Sequence, residues 1–175
     1  MLKLHVNSQK KGISMKKMIF ISILAACAFA GNFEDGLKAY GSSNFKEALA
    51  KFEAGCAEND AKSCVKTGAI YQLGKTATPD LDKALEYYNK ACQSGEKEGC
   101  SAAGGLYLNT EPQKARELFN KACDKNDGYS CEMAGSILIE AKEFKKAYEF
   151  LVKGCELGDK MSCEFAGDLR RSKQL

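Results

Sequence analysis

Cysteine is the residue type in this 175-residue chain best equipped for chemistry, and eight of its nine cysteines stand in pairs of one spacing. Cys56/Cys64, Cys92/Cys100, Cys123/Cys131 and Cys155/Cys163 each read Cys-x7-Cys, and the pairs recur at intervals of 36, 31 and 32 residues. Paired cysteines can ligate a metal, carry out thiol–disulfide exchange or hold a framework together. Zinc sites favour Cys-x2–4-Cys, often with histidine, and the only histidine here is His5, far from every pair. Redox catalysis favours Cys-x2-Cys, which does not occur. The pairs therefore read as a structural framework in a compartment where thiols oxidise, with no metal or cofactor expected.

The recurrence says more than the chemistry does. A fixed period of 20 to 50 residues marks a solenoid, in which one supersecondary unit is stacked repeatedly. The segments leading to each first cysteine place a small residue, a large apolar one and the cysteine at i, i+4 and i+8: Ala48/Phe52/Cys56, Ala84/Tyr88/Cys92, Ala115/Phe119/Cys123 and Ala147/Leu151/Cys155. Steps of four drift only about 40° around a helix, so each set forms one apolar stripe, with charged residues on the opposite face. The second cysteine of each pair opens another helix and is followed four residues later by Gly68, Gly104, Gly135 or Gly167. Glycine inside a helix costs about 1 kcal/mol relative to alanine, so four in one register point to close helix–helix approach. Short turns such as Gly41-Ser-Ser-Asn44 and Gly95-Glu-Lys-Glu-Gly99 separate the helices, and Thr78-Pro79 reads as a cap and first residue of a helix. No stretch alternates as a strand would. About nine helices and no sheet are expected, an all-α solenoid of stacked antiparallel helix pairs.

The N-terminus reads as a leader. Met15-Lys16-Lys17 is a basic start, Met18 to Ala30 is apolar, and Ala28-Phe29-Ala30 precedes Gly31 as a cleavage site would. The apolar run is too short for an ordinary membrane span. Residues 1–30 are thus read as leader and signal peptide, and 31–175 as a single repeat domain that is secreted or periplasmic. Leu24-Ala25-Ala26-Cys27 also resembles a bacterial lipoprotein box, which makes lipid anchoring at Cys27 the alternative. Cleavage after Ala30 is favoured because it leaves eight cysteines. It also removes five lysines and no acid, leaving 21 basic and 23 acidic residues and a net charge of −2. Such a surface, without basic clusters, argues against nucleic acid or anionic membrane as a partner.

The pattern Lys-Ala-x2-Tyr-Tyr-x-Lys-Ala-Cys, followed by Cys-x3-Gly-x2-Tyr, resembles Sel1-like repeats, and the Cys-x7-Cys elaboration resembles the Helicobacter cysteine-rich protein family. The resemblance runs from Phe33 to Gly167, with a looser first unit, Phe33 to Cys56, that is more like a tetratricopeptide (TPR) pair. It implies a disulfide within each Cys-x7-Cys pair: Cys56–Cys64, Cys92–Cys100, Cys123–Cys131 and Cys155–Cys163. Stacked helix pairs form a superhelix whose concave face suits a peptide or partner protein, so a monomeric protein- or peptide-binding module with its ligand on that face is expected.

The same resemblance brings penicillin binding and weak β-lactamase activity, with a β-lactam or cell-wall-derived molecule as ligand. Serine β-lactamases combine S-x-x-K, S-x-N and K-T-G elements. Ser43-Asn-Phe-Lys46 and Ser94-Gly-Glu-Lys97 match the first, Ser42-Ser43-Asn44 the second and Lys66-Thr67-Gly68 the third. Such short patterns arise readily by chance among 26 lysines and arginines, and the third falls within an expected helix rather than on a strand. Without histidine after residue 5, a Ser-His-Asp or Cys-His apparatus is absent from the mature chain. No catalytic residue is assigned. Tyr40, Tyr71 and Tyr107 are either anchors on the binding face or packing residues of the repeat. The basic tail Arg170-Arg171-Ser-Lys173 reads as a helix end whose cations suit the helix dipole.

Overall fold

The computed structural model describes residues 31–172, and every regular element among them is a helix. The leader, Cys27, His5 and Lys173 lie outside the described residues. The nine helices are α1 (31–41), α2 (Phe45–Ala57), α3 (Ala61–Leu73), α4 (Leu81–Gln93), α5 (Lys97–Tyr107), α6 (Pro112–Cys123), α7 (Gly128–Glu140), α8 (Phe144–Glu156) and α9 (Lys160–Arg171). Each packs mainly on its neighbours in sequence, as a solenoid requires.

Two kinds of turn alternate. At α2–α3, α4–α5, α6–α7 and α8–α9 the chain reverses through Asn59-Asp60, Gly95-Glu96, Asn126-Asp127 and Gly158-Asp159. The first residue of each pair has a left-handed backbone, with φ of 68°, 89°, 60° and 89°. Asparagine and glycine tolerate that conformation best, which explains the restriction to these two types. The second residue returns its N–H to the carbonyl of Gly55, Ala91, Ala122 or Gly154, closing the outgoing helix. At two of its three aspartates it also caps the incoming helix: Asp60 accepts from the N–H groups of Lys62 and Ser63, and Asp159 from that of Ser162, whereas Asp127 accepts from the Ser130 hydroxyl.

All four cysteine pairs close across these turns as disulfides, with Cα–Cα distances of 4.5 to 4.7 Å. So close an approach leaves no room beside the bond. The residue before every cysteine is accordingly small: Gly55 faces Ser63, Ala91 faces Gly99, and Gly154 faces Ser162.

The other turns, α1–α2, α3–α4, α5–α6 and α7–α8, carry no bridge, and the last three join the helices that pack most intimately. The stripe residues Ala48, Phe52, Ala84, Ala115, Phe119, Ala147 and Leu151 are fully buried. Each large member fills the hollow over a glycine of the preceding helix. A methyl added to Gly36 would stand 2.6 Å from the Phe52 ring, one on Gly68 2.8 Å from Tyr88, one on Gly104 3.1 Å from Phe119, and one on Gly135 2.7 Å from Leu151. The glycines expected to mark close approach do so in three cases of four. Gly167 meets only the Arg171 side chain of its own helix. Gly36 repeats the device in the first unit, where Asn32 stands four residues earlier in place of the cysteine.

One boundary differs from expectation. Thr78-Pro79 does not open α4; the helix starts at Leu81, and Asp80 is its cap, accepting from the Lys83 N–H. The proline instead packs against Gly74, the left-handed cap of α3. Its counterpart Pro112 does stand in the first turn of α6.

Candidate functional site

The helices that open each unit, α1, α3, α5, α7 and α9, share one side of the array, and two neighbouring depressions lie along it. One is lined by Phe33 of α1, Lys62, Val65 and Lys66 of α3, and Glu96 and Glu98 at the start of α5. The other, a cleft of about 500 Å³, runs from Gln72 of α3 over Ser101, Ala102, Gly105 and Leu106 of α5 to Asp127 and Tyr129 at α7. Glycine and alanine open its floor: nothing lies within 4 Å of a methyl placed on Gly105.

The position two residues before each second cysteine supplies the rim of this surface. It is occupied in turn by Lys62, Glu98, Tyr129 and Met161. Tyr129 is 54% exposed and Met161 47%, large apolar groups at the tips of successive helices. The two carboxyls at the mouth of the first depression interact. A hydrogen bond between them holds Glu96 above the usual carboxylate range and Glu98 below it, with Lys62 alongside both. The surface thus offers apolar hollows, a closely set pair of carboxyls and charges of both signs, which suits a polypeptide segment rather than a polyanion.

The tyrosines singled out in the sequence are packing residues. Tyr71 donates its hydroxyl to Glu53 at 2.8 Å and stacks on Tyr87 at 5.7 Å. Burial first, then the Glu53 carboxylate, pushes its pKa up to about 12. Tyr40 packs edge-on against Phe45 at the first turn, and Tyr107 lies beneath Lys114, whose Nζ is 3.8 Å from the ring centre. None lines either depression. Tyr129, Phe33 and Gly105 do, and sequence reading passed over them. Their register was legible from the cysteines, but the residue type changes from unit to unit, so no repeated chemistry marks it.

The serine and lysine patterns do not assemble. Ser43 occupies the α1–α2 turn with φ of 58°, whereas Ser94 caps the far end of α4, in another unit. Asn44 is the cap of α2. Lys66-Thr67-Gly68 lies within α3, where Thr67 is fully buried with its hydroxyl donated to the Ser63 carbonyl, and Gly68 is covered by Tyr88. The β-lactamase expectation therefore finds no support in the placement of these residues.

Comparison with known families matches the Sel1 repeat at residues 61–96, 103–127 and 133–159, half of the chain. The chain belongs to the Sel1 repeat family. The three matched segments coincide with α3–α4, with α5–α6 less the first turns of α5, and with α7–α8 less the first turn of α7. In this Sel1 repeat protein the disulfides consequently join one repeat to the next rather than closing a repeat on itself.

Solved structures support the fold. A protective antigen of uropathogenic Escherichia coli strains with an SLR fold is 20% identical, with a TM-score of 0.73 over 82% of this chain and 34% of its own. A Sel1 repeat protein from Oxalobacter formigenes is 18% identical, with a TM-score of 0.70 over 80% of this chain and 62% of its own. MamA protein is 17% identical, with a TM-score of 0.59 over 83% and 82%. This chain thus spans about a third of the antigen and under two thirds of the Oxalobacter protein. No curated protein sequence matches.

Proposed function

We propose that this Sel1 repeat protein is a secreted or periplasmic binding module that takes a protein or peptide segment along the side formed by its first helices. The cleft over Gly105, flanked by the exposed Tyr129, carries the proposal. Stacked helical repeats build extended surfaces of this kind, and exposed aromatic residues beside a shallow hollow are the usual anchors of such binding. Residues 31–175 act as one monomeric domain, released by cleavage after Ala30. The four bridges favour an oxidising compartment, and no helix among the described residues is long and apolar enough to cross a membrane. The even, regular Cys-x7-Cys spacing further favours a place in the Helicobacter cysteine-rich branch of the family.

Panning a random peptide library on the oxidised protein tests the reading. Selected peptides should lose about tenfold or more in affinity for Tyr129→Ala and for Gly105→Arg, which blocks the hollow without touching the helix contacts. Peptides that bind both variants as well as the parent would move the site elsewhere. N-terminal sequencing of the natural product tests the processing: Gly31 is expected, and an acylated Cys27 would mean an anchored protein.

A further inference from the structure

The second residue of α3, α5 and α7 is Lys62, Glu98 and Tyr129 in turn, and all three are exposed. Lys62 and Glu98 line the first depression, Glu98 and Tyr129 the second, so Glu98 is the wall that the two share. Together they make one trough that meets a cation, a carboxylate and an aromatic ring in that order. Neighbouring side chains reinforce it. Lys66, one turn along α3, joins Lys62 at one end, and Asp127 joins Glu98 in lining the hollow over Gly105. Among the described residues none of these four charged groups is in a salt bridge. Glu98 is hydrogen-bonded to Glu96 and Asp127 to the neutral Ser130 hydroxyl, so neither carboxylate is paired with a cation.

The spacing of the row selects a backbone as well as side chains. Helices packed side by side stand about 10 Å apart, and α3 meets α5 directly. A polyproline II segment has three residues per turn, so side chains three apart share a face at intervals of about 9 Å. A strand would turn alternate residues to the trough at intervals of about 7 Å, and a helix would return its face every 5 Å or so. One side chain for each first helix therefore fits the three-residue period.

On the basis of the binding role inferred above, we propose that the trough reads an extended, polyproline II-like segment of a partner protein that carries an acid, a base and a large apolar residue three positions apart. The acid meets Lys62, the base sits between Glu98 and Asp127, and the apolar side chain lies on Tyr129. The chain's own segments fit poorly. Residues 1–30 and 173–175 contain no aspartate or glutamate to set against Lys62. Among the described residues the only non-helical stretch longer than four is 74–80, whose one base and one acid, Lys75 and Asp80, are five positions apart.

Fluorescence anisotropy on the oxidised protein, with and without residues 1–30, tests the order. The probes are labelled Asp-Pro-Pro-Arg-Pro-Pro-Leu, the same sequence written backwards, and the counterparts of both with aspartate and arginine exchanged. At least one of the first two should bind about tenfold tighter than its counterpart. Lys62→Glu combined with Glu98→Lys, which leaves the net charge unchanged, should invert that preference. Tyr129→Ala should weaken binding about tenfold without inverting it. These substitutions fall at exposed helix tips, and circular dichroism of each variant confirms the fold. No binding of any probe, no preference between counterparts, or a preference that survives the Lys62/Glu98 exchange overturns the proposal. If panned peptides nevertheless lose affinity for Tyr129→Ala and Gly105→Arg, only this register falls and the binding role stands; panned peptides indifferent to both variants overturn the two together. Binding that appears only once residues 1–30 are removed gives the trough to the leader, and a dimer that the probe dissociates gives it to a second copy. Either result overturns the proposal as well.

Discussion

Two glycines of α5 and α3 show how differently the same residue type is used. Gly105 faces an open cleft, whereas Gly68 sits under the Tyr88 ring with the Ala84 carbonyl close by. Alanine at either position gains about 1 kcal/mol of helix propensity. At Gly68 it also drives a methyl to 2.8 Å from two ring carbons that are themselves buried. Overpacking of that kind costs about 1–3 kcal/mol, so the clash outweighs the propensity. Thermal denaturation should show Gly68→Ala less stable than the parent and Gly105→Ala as stable or slightly more so. Equal midpoints for the two would mean that Tyr88 swings aside freely and the glycine register has another cause.

At the scale of elements, each bridge locks the turn between one helix pair and the next. Closing a ring of nine residues removes chain entropy worth about 2.5 kcal/mol in the loop-closure model. Accessibility separates the four. Cys56–Cys64 and Cys123–Cys131 are buried at both ends and Cys92–Cys100 at one, but Cys163 is exposed and Cys155 only half-buried. Titration with dithiothreitol, followed by alkylation and peptide mapping, should find Cys155–Cys163 reduced first. Simultaneous reduction of all four would mean that the array opens as a whole before any bridge is attacked.

Much of this was legible from the chain: the period, the alternating helices, the Ala/large/Cys stripe and three of the four glycine contacts follow from spacing alone. The bridging turns were only half legible. Their [Asn/Gly]-[Asp/Glu] step is as regular as the cysteines, yet it needs the left-handed backbone to be recognised as a device. The face that carries Tyr129 and Met161 was not legible, because its residues share a register and no chemistry.

Taken whole, the molecule has joints of two kinds in strict alternation: bridged turns between repeats and unbridged turns within them. A protease treats the two differently. A cut at Asn59-Asp60 or Asn126-Asp127 leaves both ends tied through a disulfide, so the nicked chain keeps its mass and its stacked helices. A cut in the long α3–α4 connection, at 74–80, separates the chain into two pieces once the helices let go. Limited proteolysis should therefore yield products that run as intact protein under non-reducing electrophoresis when cleavage falls in a bridged turn, and as fragments only after reduction. The bridges then do more than stabilise a fold: they let the protein be cut between its repeats and still remain one molecule.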